Sequence, residues 1–287
     1  MTFAVTGVSG KTGRAAAETL LMRGAAVRVI VRQPAQAAEW VARGAEAAVA
    51  DLTDAAALTR ALAGAAAAYL LVPPDFAAAD QRAHQSRVTQ ALAAAASEAG
   101  LPHIVLLSGF AAHRARNSGP LAGLHEAEQR LGAVPGLRLT ALRAGYFHEN
   151  VLPLLAQVRE TGILPSLFPA TLPVPMVATR DVGQLAAKLL LEAPSRSAIV
   201  EQGSPLTSDA IARAVAALLG RPVRVEALPA NTLTPLLTQL GFSEDLARNY
   251  VEMVTGICDG TLAFEGGHRR VAAETSIEAS LRPLLIG

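Results

Sequence analysis

The sequence predicts an α/β fold: a doubly wound parallel sheet with a smaller, mainly helical C-terminal lobe. Three observations lead there. Through the first half, short β-rich runs alternate strictly with Ala-rich helical runs, and strands joined that way have to pair in parallel through crossovers. These strands are apolar throughout rather than alternating, as strands covered on both faces are. Gly24, Gly44, Gly64 and Gly100 each stand where a helical run ends and the next strand is due, the place of a helix-terminating glycine.

The elements follow in order. TFAVT (2–6) is the first strand and leads through a glycine turn into a helix reaching about Met22. AVRVIVR (26–32) is the second strand, followed by a helix near 35–43, then EAAVA (46–50) and a helix near 54–63. AAYLLV (67–72) is the fourth strand, followed by a long helix over roughly 80–99 and by HIVLLS (103–108). LRLTALR (137–143) makes a sixth strand and AIVEQ (198–202) a seventh. Between these two, prolines at 153, 165, 169, 173 and 175 break the rhythm, and a helix starting near Arg180-Asp181 returns the chain to the sheet. Beyond Gly203 the spacing predicts a helix (208–219), a short strand (222–228), two helices over about 231–258 and a last one near 276–285. The sheet domain therefore takes 1–150 plus about 176–203, and the lobe about 151–175 and 204–287.

Composition removes several classes of function. Hydrophobic residues are 51% of the chain and charged residues 17%, which excludes a disordered tail. The balance of 25 basic and 24 acidic side chains leaves a net charge of +1, so no general attraction draws the molecule to nucleic acid or anionic lipid. Mean hydropathy is positive, at +0.33, but the longest apolar run, 61–74, is mostly alanine and too short to span a bilayer. The glycine turn begins within ten residues of Met1, so no leader is expected ahead of it. The single Cys258 can form neither an internal disulfide nor a thiolate cage, and is expected to be a small buried hydrophobe in a cytoplasmic protein. His125-Glu-Ala-Glu-Gln129 is no zinc helix, since its fifth residue is not His, and no metal is expected.

The stretch Thr6-Gly-Val-Ser-Gly-Lys-Thr-Gly13 carries the chemistry. Gly10-Lys11-Thr12 looks like the end of a triphosphate loop, yet five residues before Gly10 stands Val5, inside the strand, where that loop needs glycine. What remains is Gly7-x-x-Gly10-x-x-Gly13, set between a strand and a helix. Gly7 makes the tight turn, Gly10 lets backbone approach a pyrophosphate, and Gly13 lets the helix pack on the strand, with Ser9, Lys11 and Thr12 completing the turn. This is the dinucleotide pattern of a Rossmann fold. At the end of the second strand, where an acid would hold the ribose of NAD, stands Arg32; it and Lys11 suit the 2′-phosphate of NADP(H), preferred here over NAD(H). Asp51 and Leu52 follow the third strand, where a carboxylate can accept from the adenine amino group, although Asp51 can equally cap the next helix. Val72 and Pro73 follow the fourth strand and line the crevice.

TGVSGKTG, Arg32, VADLTD and LLVPP together resemble the NmrA-like branch of the atypical short-chain dehydrogenase/reductases. Leu142-Arg-Ala-Gly-Tyr-Phe-His-Glu-Asn150 is similar to that family's LRxGxFxEN stretch, and Arg180-Asp181-Val182 to its TRDVA segment, with Gly183 in place of Ala. The resemblance covers essentially the whole chain. It implies that Gly145, Tyr146, Phe147 and Asn150 border the nicotinamide. The family contains reductases of quinones and triarylmethane dyes, and also proteins that bind the dinucleotide without turning it over.

The Tyr-x-x-x-Lys pair of ordinary short-chain dehydrogenases is absent: the residues four beyond Tyr69, Tyr146 and Tyr250 are Pro73, Asn150 and Val254, and the lysines are Lys11 and Lys188. The remaining catalytic candidates are Ser108, His125 and Tyr146. Ser108 occupies the place of a substrate-binding Ser in related reductases and is expected among the cofactor contacts as well, or bonds its own backbone. His125 and Glu128 lie three apart, one residue short of the family's spacing, and a structural His is the alternative. Without a positioned acid, hydride has to go to an electrophile whose product needs no proton, such as a quinone or a cationic dye. Phe110, Tyr146, Phe147 and Met176 are expected to line the pocket of this small aromatic acceptor, with Phe242, Tyr250 and Met253 as further candidates or core residues. The rival reading is a redox sensor that binds NADP(H) and signals to a protein partner.

Overall fold

The computed structural model describes residues 1–192 and 194–285. Its first half runs β1 (Thr2–Val5), α1 (Lys11–Met22), β2 (Ala26–Val31), α2 (Ala37–Ala42), β3 (Glu46–Val49), α3 (Ala55–Leu62), β4 (Ala65–Leu71), α4 (Gln81–Glu98), β5 (His103–Gly109), α5 (Leu121–Gly132) and β6 (Arg138–Ala144). Then follow β7 (Tyr146–Phe147), α6 (Leu155–Thr161), β8 (Ile163–Ser166), β9 (Val174–Val177), α7 (Thr179–Leu191), β10 (Ala198–Gln202) and β11 (Ser204–Leu206). The chain ends in α8 (Ser208–Leu219), β12 (Arg224–Ala227), α9 (Ala230–Gln239), α10 (Glu244–Cys258), β13 (Arg269–Val271) and α11 (Ile277–Leu285). No described helix is long and apolar enough to cross a membrane.

Eight strands form one sheet in the order β13-β10-β6-β5-β4-β1-β2-β3, with every neighbouring pair parallel. Strand order reverses between β1 and β4, and the carboxyl ends of the strands open a crevice at that point. One face of the sheet is sealed by α1 and α7 through Leu20, Val182, Ala186 and Leu190. The other is sealed by α3, α4 and α5 through Leu58, Leu62, Leu92 and Leu131. Each fully buried leucine contributes about 1.5–3 kcal/mol. A third core, around Val158, Leu164, Val215 and Leu281, belongs to the lobe.

The two helices on the first face lie unusually close. A methyl group on Gly183 of α7 would sit 2.5 Å from both the Ala15 Cβ and the Thr12 carbonyl oxygen of α1. The alanine of the family pattern does not fit here, which explains the glycine. The start of α7 is fixed from outside. Glu149 accepts hydrogen bonds from the Thr179 N–H (3.0 Å) and the Thr179 hydroxyl (2.6 Å), while the buried Asp181 carboxylate accepts from the N–H groups of Glu274 and Thr275 (2.8 Å each). These ties account for the acids in the FHEN and RDV segments.

Three features depart from the sequence expectation. β13 is an eighth strand of the main sheet, missed because three residues on an edge carry no readable period. β7, β9 and β11 form a small sheet and β8 pairs with β12, all short and proline-interrupted. Cys258 is exposed, not buried. The apolar stripe of α10 runs through Leu246, Met253, Val254 and Ile257, and the next residue turns off it to solvent.

His103, at the start of β5, is buried, and burial together with the charge of Arg138 lowers its pKa to about 4. A neutral base in the fold that protonates near 6.5 when unfolded withdraws stability as pH falls: it is complete above about 6.5 and is lost progressively toward 4. Denaturant titrations of wild type and His103→Gln should therefore diverge on acidification, the wild type losing up to about 3 kcal/mol more between pH 7 and 4. Parallel acid profiles would contradict this.

Candidate functional site: a two-chambered crevice

The crevice begins at the glycine turn. Gly7 has φ +68°, and a Cβ there would meet the Leu71 Cδ2 at 2.4 Å. The Gly10 N–H donates to the Gly7 carbonyl (2.9 Å). A Cβ on Gly13 would lie 2.4 Å from the carbonyl oxygens of both Thr6 and Gly7, so the first turn of α1 rests directly on the end of β1. The N-cap, Gly10, has no side chain to satisfy the first-turn N–H groups, and the first turn contains no acid. Unpaired donors and the positive end of the helix dipole therefore open onto the crevice, a cradle suited to a pyrophosphate.

Two chambers of 510 and 430 Å³ meet at this turn, with Gly7, Ser9, Leu71, Pro73 and Pro74 belonging to the walls of both. The first lies over the ends of β2 and β3. Arg32 stands on its rim, exposed and, among the described residues, without a hydrogen-bond or ion-pair partner. Asp51 and Leu52 form the facing wall. The Asp51 carboxylate accepts from the Thr53 hydroxyl (2.6 Å) and N–H (2.8 Å), and these bonds hold its pKa below the usual range. Capping of α3 falls to Asp54, which accepts from the Ala57 N–H. Phe76 and His84 also line this chamber, and the His84 Nε2–H donates to the Pro73 carbonyl (3.2 Å). Neither carried a sequence signal beyond the rigid Val72-Pro73-Pro74 segment that precedes them. An unpaired cation, an ionised acid and a donor-rich helix start on one continuous wall fit a phosphorylated dinucleotide.

The second chamber lies over β5 and β6. Val72, Ser108, Phe110, Gly145, Tyr146, Phe147 and Asn150 stand on its walls, joined by Tyr250 and Met253 of α10. Gln85 and Leu121 line it too, and carried no sequence signal. Gly145 is needed for backbone clearance, since a Cβ there would be 2.5 Å from the Pro175 carbonyl oxygen. Among the described residues of this wall none is Asp, Glu, His, Lys or Arg. Burial raises the pKa of the Tyr146 and Tyr250 phenols, and Tyr146 is hydrogen-bonded with Asn150.

Several sequence-predicted residues are not on these walls. Lys11 is exposed at the start of α1 and lines neither chamber. The His125 Nδ1–H is spent on the Ala112 carbonyl (2.9 Å), which holds the ring in a structural role. Met176 points into the lobe core and borders a separate apolar cavity of 60 Å³ behind Tyr146, whose ring packs edge-on against Phe168 at 5.3 Å. Phe242 is likewise outside, bridging the rings of Phe76 (4.9 Å) and Tyr250 (5.1 Å).

Residues 1–259 match the model of the NmrA-like family. The chain is 28% identical over 249 residues to an NAD(P)H azoreductase of Xenophilus azovorans, covering 85% of this chain and 82% of that one. It is 27% identical over 263 residues to quinone oxidoreductase 2 of Escherichia coli strain K12, covering 90% and 89%. The crystal structure of an NADPH-dependent quinone oxidoreductase from Escherichia coli superposes with a TM-score of 0.79 at 25% identity, over 99% of both chains.

The Gly13 contact is the most sensitive point of the crevice. Gly13→Ala should lower stability by about 1–3 kcal/mol, because backbone rather than a mobile side chain blocks the methyl. Thermal unfolding checks this, and an unchanged Tm would contradict it.

Proposed function

This chain belongs to the NmrA-like family, and from that premise we propose that it is an NADPH-dependent oxidoreductase that delivers hydride to a delocalised electrophile such as a quinone or an aromatic dye, without a Tyr-Lys pair. The observation that carries the proposal is the second chamber: 430 Å³ of open, aromatic-walled space beside the dinucleotide cradle, with no ionisable side chain but the phenols of the half-buried Tyr146 and Tyr250. The relatives named above, an azoreductase and a quinone oxidoreductase, support the same class of reaction.

NADPH would supply the hydride. The chain's own residues do the rest. The first turn of α1 would hold the pyrophosphate, Arg32 the 2′-phosphate and Asp51 the adenine edge. The ends of β5 and β6 would seat the nicotinamide, while Phe110, Tyr146 and Phe147 present apolar ring faces to a flat acceptor and exclude water. Reduction of an isolated ketone leaves a strongly basic alkoxide that must be protonated, and the wall carries no lysine-paired phenol to deliver that proton, only the Tyr146 and Tyr250 phenols whose pKa burial raises. A quinone takes hydride to give a resonance-stabilised hydroquinone anion, and a cationic dye becomes neutral, so neither needs a positioned acid. A redox sensor requires no acceptor space beyond the nicotinamide seat; the azoreductase and quinone oxidoreductase among the relatives favour turnover.

Stopped-flow absorbance at the NADPH band with a panel of quinones and cationic dyes should show oxidation well above the buffer rate; none with any acceptor would sink the proposal. By calorimetry, Arg32→Ala should weaken NADPH by about tenfold or more, the loss of one charge-assisted contact, and change NADH less than about twofold. Equal losses for both would remove Arg32 from the phosphate site.

A further inference from the structure

Ser108 ends β5 on the wall of the second chamber, in register with Arg143 of β6. Its hydroxyl donates to the Glu128 Oε1 at 2.6 Å. Glu128 is itself buried and gripped by Arg143 through two bonds, Nε to Oε1 (2.9 Å) and Nη2 to Oε2 (2.7 Å). Arg143 reaches on to the lobe, donating from Nη1 to the Glu265 Oε2 (2.5 Å). Burial alone would lower the pKa of Arg143, but its bonds to Glu128 and Glu265 more than offset this and raise it. The network is thus a fixed set of charges beneath the chamber wall.

A serine hydroxyl has one proton and two lone pairs. Here the proton is held by a buried carboxylate in a short, charge-assisted bond, so Ser108 has only lone pairs left to offer the chamber. A serine set to stabilise a substrate carbonyl would need the opposite polarity. Simple quinones and fully N-alkylated arylmethane dyes carry no N–H or O–H to give it. The cofactor does, in the amide of its nicotinamide ring.

We propose that Ser108 is a positioning residue that accepts a hydrogen bond from the nicotinamide carboxamide N–H, and that Glu128 fixes this polarity by keeping the serine proton away from the chamber. The inference rests on the NADP(H) reading above. It makes Ser108 a device for setting which face and angle the ring presents, not a proton donor to the acceptor.

The test is calorimetric and needs no turnover: the affinities of NADP⁺ and of its acetylpyridine analogue, which has a methyl ketone in place of the amide. Wild type should bind the amide about three- to tenfold more tightly, the worth of one hydrogen bond. Ser108→Ala should bind both within about twofold of each other. Glu128→Ala frees the serine proton to donate and should narrow or reverse the preference; if that variant does not fold, Ser108→Ala still decides. Wild type indifferent to the analogue, Ser108→Ala keeping the full preference, or a folded Glu128→Ala keeping it, would overturn the inference. Failure of wild type to bind NADP⁺ at all would instead overturn the cofactor reading.

Discussion

The first turn of α1 lies so close to the end of β1 that the Thr6 and Gly7 carbonyls occupy the space a side chain at Gly13 would need. Much of the molecule is arranged around that approach. It brings uncapped N–H groups to the mouth of the sheet at its switch point, where two chambers meet. It also sets the height at which α7 can settle on α1, and Gly183 is small because the Thr12 carbonyl is already there. Glu149 and Asp181 then hold the start of α7 from the lobe side, so one backbone contact governs how cradle, sheet and lobe meet.

The chamber beyond the cradle is notable for where its charges lie. Arg143, Glu128 and Glu265 are packed behind the wall rather than on it. Breaking such a pair from one side costs about 3–5 kcal/mol, so the cluster resists rearrangement during a reaction. The wall itself offers ring faces, amides, two phenol hydroxyls and a serine whose proton is committed. Such a surface can orient and dehydrate two flat ring systems.

Much of this was legible in the sequence because the signals are local. The alternation from β1 to β6, the glycine turn and Arg32 at the end of β2 can each be read within a window of a few residues. What could not be read depends on distant parts meeting. β13 pairs with β10 through three residues on an edge. Glu128 finds Ser108 and Arg143 only because α5 folds back over β5 and β6. Phe76 enters the first chamber because the loop after β4 is tied to the lobe, its carbonyl accepting from the Ser243 N–H at 2.8 Å. Which of its two roles His125 takes, and that Met176 faces the lobe core, could not be read for the matching reason: spacing along a helix or strand gives a face, but not which neighbour that face meets.

On the proposed function the second chamber positions hydride transfer and takes no part in a proton transfer. Single-turnover oxidation of bound NADPH by a saturating quinone, followed across pH and in heavy water, is the sharpest check. The rate should be flat between about pH 6 and 9 with a solvent isotope effect near unity, since no side chain donates in the transition state. A rate limb with a defined pKa, accompanied by a solvent isotope effect of about two or more, would show a proton in flight and contradict it.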